Sequence, residues 1–131
     1  MFFDAINNLN VDGHVIPCYN RRVTGTTVKP HYVLVTDQAK RQKKYTKCGD
    51  KWDCSILLDI ITTYPATGNT GSTLLAENIE EAIINLEPTL NLSGSYTIND
   101  RELVSSDSLT VIGTTTNVFR QLIRFNYFIT N

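Results

Sequence analysis

The sequence predicts an α+β fold: an antiparallel or mixed β-sheet of about 4–5 strands, one main amphipathic helix at about 73–87 packed on one face, and a short N-terminal helix. Three observations predict it. Residues Trp52–Thr63 alternate strictly, with Trp52, Cys54, Ile56, Leu58, Ile60 and Thr62 on one side. Asp53, Ser55, Leu57, Asp59, Ile61 and Thr63 lie on the other. Period two over that length is a strand with one face on a core and one partly wet. The stretch from about Val118 to Ile129 alternates too: Phe119, Ile123, Phe125, Tyr127 and Ile129 share a face that only Gln121 breaks. Between these strands lies a single stretch of helical periodicity. No βαβ alternation repeats, so one helix laid on an antiparallel or mixed sheet is the natural solution.

Taken in order, Phe2–Leu9 reads as the short helix, since Phe2, Phe3, Ile6 and Leu9 fall on one side. Asp12-Gly13 is a turn. Val15–Asn20 is a short strand interrupted by Pro17, which places it at an edge. Residues 21–29 form a basic, Thr-rich loop, and Pro30 introduces the inner strand Tyr32-Val33-Leu34-Val35. Residues 38–51 are too polar for a core and read as a basic inter-strand loop. The strand at Trp52 ends at Tyr64-Pro65, and a loop with Gly68 and Gly71 follows. The main helix buries Leu75, Ile79, Ala82, Ile83 and Leu86, takes Ser72 or Thr73 as a side-chain N-cap, and ends at Pro88. Ser93-Gly94 is a turn, Tyr96–Glu102 a short hairpin arm bent at Asn99-Asp100, and Leu103–Ile112 a further strand weakened by Ser105-Ser106-Asp107. Gly113–Asn117 is the turn into the closing strand.

A chain of 131 residues fits one domain, residues 1–131, large enough for a core without staples. Charged residues are only 19% of the chain; 17 Thr and 12 Asn take their place, a strand-and-turn composition. The net charge of −1 conceals an asymmetry. Residues 1–51 carry nine Lys/Arg and four Asp, hence +5. Residues 52–131 carry three Arg and nine Asp/Glu, hence −6. Two readings stand: a solvated basic loop, or head-to-tail association in which a basic patch meets an acidic patch on the next copy. No apolar run is long enough for a membrane span, and the start lacks a signal-peptide pattern.

The residues that usually carry chemistry are sparse. Cys18, Cys48 and Cys54 are odd in number, and the spacing of the last two is not that of zinc ligands. Cys54, on the apolar side of its strand, reads as a small hydrophobe. His14 and His31 have no partner at a metal-ligand or base–nucleophile spacing. Gly68-Asn69-Thr70-Gly71-Ser72-Thr73 precedes a helix but lacks the lysine of a phosphate loop. Asp53 and Asp59 share a strand face about 20 Å apart, too far for an acid/base pair. No catalytic, cofactor or metal site is therefore expected, and the chain does not read as an enzyme. Two charged groups remain. Lys40, Arg41, Lys43, Lys44, Lys47 and Lys51, with Tyr45 among them, suit a solvated hairpin, a protein partner or a nucleic-acid backbone. A lone aromatic gives no stacking platform for single strands. Glu77, Glu80 and Glu81 form an acidic helix face, in which Glu77 and Glu81 repel at i,i+4 unless a basic partner covers them.

The order of elements resembles one family, the tail completion or tail terminator proteins of tailed bacteriophages. The resemblance lies in Pro30-His31-Tyr32-Val33-Leu34-Val35, in the alternating strand from Lys51 to Thr62, in the helix Thr73–Glu87, and in the Arg-apolar-Phe pattern of Phe119–Ile129. It covers roughly residues 14–130 and carries no catalytic motif. It implies a virion protein of the neck, without cofactor, that forms a homo-oligomeric ring at the head–tail junction after assembly in the host cytoplasm. The expected partners are other phage neck, portal-adaptor and tail proteins, with non-specific contact to DNA passing through the lumen. A short N-terminal helix and a large basic loop depart from the family's pattern. The alternative class is a small nucleic-acid-binding accessory domain that uses the basic loop 40–51.

Overall fold

Two long antiparallel hairpins make most of the molecule. The structure, a computed structural model, describes residues 5–20, 30–46, 49–65, 73–92, 94 and 96–130. Its elements are β1 (Leu9–Val11), β2 (His14–Ile16), β3 (Cys18–Asn20), β4 (His31–Thr46), β5 (Gly49–Pro65), α1 (Leu74–Leu86), a 3-10 turn (Glu87–Thr89), β6 (Thr97–Ile112) and β7 (Thr116–Thr130). Strands β1 and β2 pair with each other; the others form a five-stranded sheet in the order β3-β4-β5-β7-β6. The sheet is mixed, because β3 runs parallel to β4 while every other pairing is antiparallel. Pro17 separates β2 from β3, and its carbonyl accepts from the Val33 amide at 3.0 Å. A proline at that point costs no ladder bond, as its edge position predicts.

The faces follow the alternation of β5 and β7. Trp52, Cys54, Ile56, Leu58, Ile60 and Thr62 lie directly opposite Ile129, Tyr127, Phe125, Ile123, Gln121 and Phe119. That is the helix face. Leu75, Ala76, Ile79 and Ile83 of α1 are buried against it with Val33, Val35, Leu58, Ile60, Ile123 and Phe125, and Ile6, Val11 and Ile16 complete the cluster. Each fully buried aliphatic side chain here contributes about 1.5–3 kcal/mol. The other, outer face carries Tyr19, Tyr32, Leu34, Leu57, Asp59, Ile61, Arg120 and Leu122, and no described helix packs on it.

Four irregularities interrupt the outer pairings. β4 has an extra residue at Thr36 and another at Lys43; β6 has one at Asn99 and one at Val104. The central β5–β7 ladder is unbroken. The four are matched in level. Thr36 and Val104 flank the row that contains Leu57 and Arg124; Lys43 and Asn99 flank the row that contains Trp52 and Ile129. The Thr36 hydroxyl donates to the Leu57 carbonyl at 3.2 Å. Each extra residue also shifts sequence parity. Val33 and Val35 face the helix, but beyond Thr36 the even-numbered Gln38 and Lys40 do so.

Several expectations are corrected. Of the short helix expected over 2–9, only Ala5 and Ile6 are helical among the described residues; Asn8 has φ 61 and Leu9 already opens β1, so the helix does not reach Leu9. Phe2 and Phe3 lie outside the described residues. The stretch 38–51 is not a loop. Residues 38–46 continue β4 and Gly49 begins β5, because the polar residues pair across a hairpin arm that extends past the core. The expected arm Tyr96–Glu102 and strand Leu103–Ile112 are one strand, Thr97–Ile112, with extra residues at Asn99 and, just before the polar Ser105, at Val104. Thr73 occupies the N-cap of α1 but makes no side-chain cap bond; its backbone carbonyl accepts from Glu77 N at 2.9 Å. Ser72 lies outside the described residues. Pro88 turns the chain through the 3-10 segment, as expected.

Candidate functional site

Lys40 and Arg41 do not share a face. Lys40 is opposite Cys54 on the helix face, with its ammonium 4.0 Å from the centre of the Trp52 ring. That cation–π contact holds it over a cleft of about 280 Å³ lined also by Leu92, Tyr96 and Ile129. Arg41 is exposed on the outer face, opposite Asp53. Lys43 is the extra residue between Gln42 and Lys44, and Lys44 pairs with half-buried Lys51. The side chains of Lys43 and Lys44, and Lys47 as a whole, lie outside the described residues. Alternation along a strand thus sends neighbouring charges to opposite sides of the sheet.

The acidic helix face is divided as well. Glu77 and Glu81 are exposed, whereas Glu80 is half-buried and accepts a hydrogen bond from the Ser106 hydroxyl. That bond continues a polar line: the Gln121 amide donates to Ser106 at 2.8 Å, and Ser108 donates to the Gln121 carbonyl oxygen. The polar residue that interrupts the closing strand is therefore a bonded residue that ties β7 to β6, and Ser106 carries the line on to α1.

Three acidic residues are gathered that spacing did not connect. Asp53 on β5 and Asp100 and Glu102 on β6 line an outer-face groove of about 300 Å³ with Asn126 and Phe128 of β7. Asp100 and Asp53 both lie directly opposite Phe128, and Glu102 lies opposite Asn126. Asp100 and Glu102 reach the same face as Asp53 only because Asn99 is an extra residue. The sequence marks a bend at Asn99-Asp100 but not the change of face that it brings.

Two arginines missed by sequence reasoning hold carboxylates. Arg120 donates from Nε to Asp59 Oδ1 at 3.3 Å and from Nη2 to Oδ2. Asp59 is 1% exposed, near the middle of the outer face. The bond to Asp59 raises the Arg120 pKa further; burial first, and then the Asp59 charge, push the Tyr32 phenol up. On the helix face, Arg101 closes the C-terminus of α1. Its Nη1 donates to the Glu87 carbonyl at 2.6 Å and to Glu87 Oε1 at 3.3 Å, and its Nη2 donates to the Leu90 carbonyl. A cation there satisfies orphan carbonyls and complements the helix dipole. Burial, reinforced by Glu87, drives the Tyr127 phenol far up.

The two described thiols have raised pKa values, which disfavours the thiolate. Burial pushes Cys18 up to about 11, and Cys54 is also raised, first by burial. His14, His31, Tyr64 and Phe119 form an aromatic file at the far end of the helix face, with ring centres 5.1, 5.2 and 5.8 Å apart. Among the described residues, no group of three His, Cys, Asp or Glu is arranged to hold a metal, and no helix is long and apolar enough to cross a membrane.

No family model matches the chain, and no curated protein matches it. Among solved structures, it is similar to a chain of the virion of a native gene transfer agent particle. The TM-score is 0.61 at 11% identity, over 86% of this chain and 78% of that one. At that identity the likeness is one of fold.

Proposed function

We propose that this chain is a structural virion protein of a tailed phage or phage-derived particle. Within that role it assembles as a ring at the head–tail junction, as a tail terminator, tail completion or neck connector protein. The observation that carries the reading is the fold shared over 86% of the chain with a component of a gene transfer agent virion. The order of elements, which resembles the tail completion proteins, adds to it. So does the charge separation, since a ring of identical copies needs two different, complementary surfaces on each copy. In this reading the chain's task is mechanical: a rigid sheet presents its edges and hairpin ends to neighbours. The alternative nucleic-acid role draws less support, because Lys40 and Arg41 project from opposite faces rather than along one phosphate-tracking stripe.

The test is particle composition and the phenotype of deletion. Mass spectrometry of purified particles should find the chain in a fixed copy number. Deleting its gene should yield separate heads and tails seen by electron microscopy. Particles that lack the chain, or that join normally after its deletion, would overturn the reading.

A further inference from the structure

The five-stranded sheet leaves two long stretches of strand backbone open. β6 is an edge strand over all of Thr97–Ile112. β4 is covered by β3 only at Val33–Val35, so from Asp37 to Thr46 no described strand lies on its side away from β5. Exposed strand edges of this length are templates for pairing with another chain. β6 also exposes Leu103 and Val104 (44% each) beside the charged Asp100, Arg101 and Glu102.

We propose that β6 of one copy pairs with the Asp37–Thr46 edge of β4 in the next, joining the sheets of successive copies into one belt. This names the partner surface for the assembly proposed above and rests on that reading.

Three features of the sheet argue for a second copy as the occupant. The first is direction. β4 and β5, β5 and β7, and β7 and β6 are each antiparallel, so β4 and β6 run in opposite senses. A neighbour repeated along the sheet therefore brings its β4 antiparallel to β6, and the alternation passes through the joint unbroken.

The second is charge in register. Arg41, Asp53, Phe128 and Asp100 stand on one cross-strand row, and Ala39, Ser55, Asn126 and Glu102 stand on the next row on the same face. In a level joint Arg41 meets Asp100 directly, on the outer face, with Glu102 diagonal to it. A slip by one residue would turn these charges to opposite faces and set Arg41 level with Arg101 or Ile98. The pattern thus disfavours a one-residue slip, and keeps Arg41 against a carboxylate, Asp100 or Glu102, on the outer face.

The third is extent. At the level of Val33–Val35 the place beside β4 is already filled by β3. The joint therefore uses the first half of β6, Thr97–Ser105, and β6 must leave the plane below it. The extra residue at Val104 supplies a bend at that level. The two ends of this interface differ, so it is heterologous, and it generates a ring when the rotation closes.

The test uses the whole chain at several hundred micromolar, with light scattering and a zero-length carbodiimide cross-link. Within one chain, positions 41 and 100 are three strand spacings apart, about 14 Å. An amide between R41K and Asp100 or Glu102 can therefore form only between copies. We expect that cross-link, mapped by mass spectrometry, in wild-type-like oligomers of R41K. We expect R41D alone and D100R alone each to weaken self-association by about fivefold or more per joint. Mixing the two variants should restore association, because each then offers the edge that the other lacks. The inference is overturned by a chain that stays monomeric without the cross-link, by charge reversals that leave association unchanged, or by cross-links confined to residues away from β6 and the Asp37–Thr46 edge. Particle composition separates this from the broader reading. A chain found in virions without the cross-link sinks the joint and leaves the virion role standing. A joint formed by a chain absent from virions does the reverse.

Discussion

The helix face and the outer face of the sheet are held by different forces. On the helix face, Ile79 and Ile83 have no exposed surface, and Leu58, Ile60 and Ile123 meet them. There the stabilisation is mainly area removed from water, and charge appears towards its margins, as where Arg101 closes the end of α1 or Lys40 lies over Trp52. On the outer face no described helix excludes water, yet Asp59 is almost completely buried. Its stability depends on a guanidinium that is itself 35% exposed. A carboxylate can be buried on an open face only if its counter-charge accompanies it. The difference predicts that the helix face tolerates polar change badly and volume change badly, whereas the outer face is sensitive at one point and forgiving around it.

The largest effect should come from Ile79→Ala, which leaves a cavity at the centre of the helix face and costs about 3–4 kcal/mol in denaturant unfolding. The half-buried Leu57→Ala on the outer face should cost about 1 kcal/mol. Equal losses at the two positions would erase the contrast. Next, Arg120→Ala should cost about 2–3 kcal/mol, because it leaves Asp59 buried without its partner. Replacing both, Asp59→Leu with Arg120→Met, should recover most of that loss. A double variant as weak as the single one would show that the pair does more than neutralise itself. Arg101→Ala, which uncaps α1 and frees Glu87, should cost about 1–2 kcal/mol and raise amide exchange in the last turn of the helix first.

The smallest expected effect is a pH dependence at His31. Its pKa is lowered, first by burial and then by His14, and its Nδ1 has no hydrogen-bond partner among the described residues. The unfolded chain therefore binds a proton more readily than the folded one. The contribution is fully present above about pH 6.5 and is lost as pH falls below it. Thermal melts between pH 7.5 and 5.5 should show a decline that His31→Gln reduces. An unchanged slope would place the pH sensitivity elsewhere.

What the sequence made legible was periodicity, and what it hid was phase. β5, β7 and α1 bury long runs in one uninterrupted period, so their faces could be read directly from Trp52–Thr62, Phe119–Ile129 and Leu75–Ile83. The pairing of Asp59 with Arg120 depends on the register between strands 61 residues apart, which alternation does not encode. The basic stretch 38–46 was hidden because its hairpin arm extends past the core, so no apolar period marks it as strand. Asp100 and Glu102 were hidden by Asn99, whose extra residue looks in sequence like any turn-former. At 40 and 41 the residue types were visible as a charge cluster, and only the strand geometry separates them.

The matched extra residues in β4 and β6 have one more consequence. Over the same height each outer strand spends two residues more than the central pair, a surplus of contour of up to about 7 Å along each margin. A ribbon whose hems are longer than its midline cannot lie flat; it has to coil. The molecule therefore carries its curvature as a mismatch of lengths, written into Thr36, Lys43, Asn99 and Val104. Deleting any one of them would leave the ladder partners available to one another while shortening that margin.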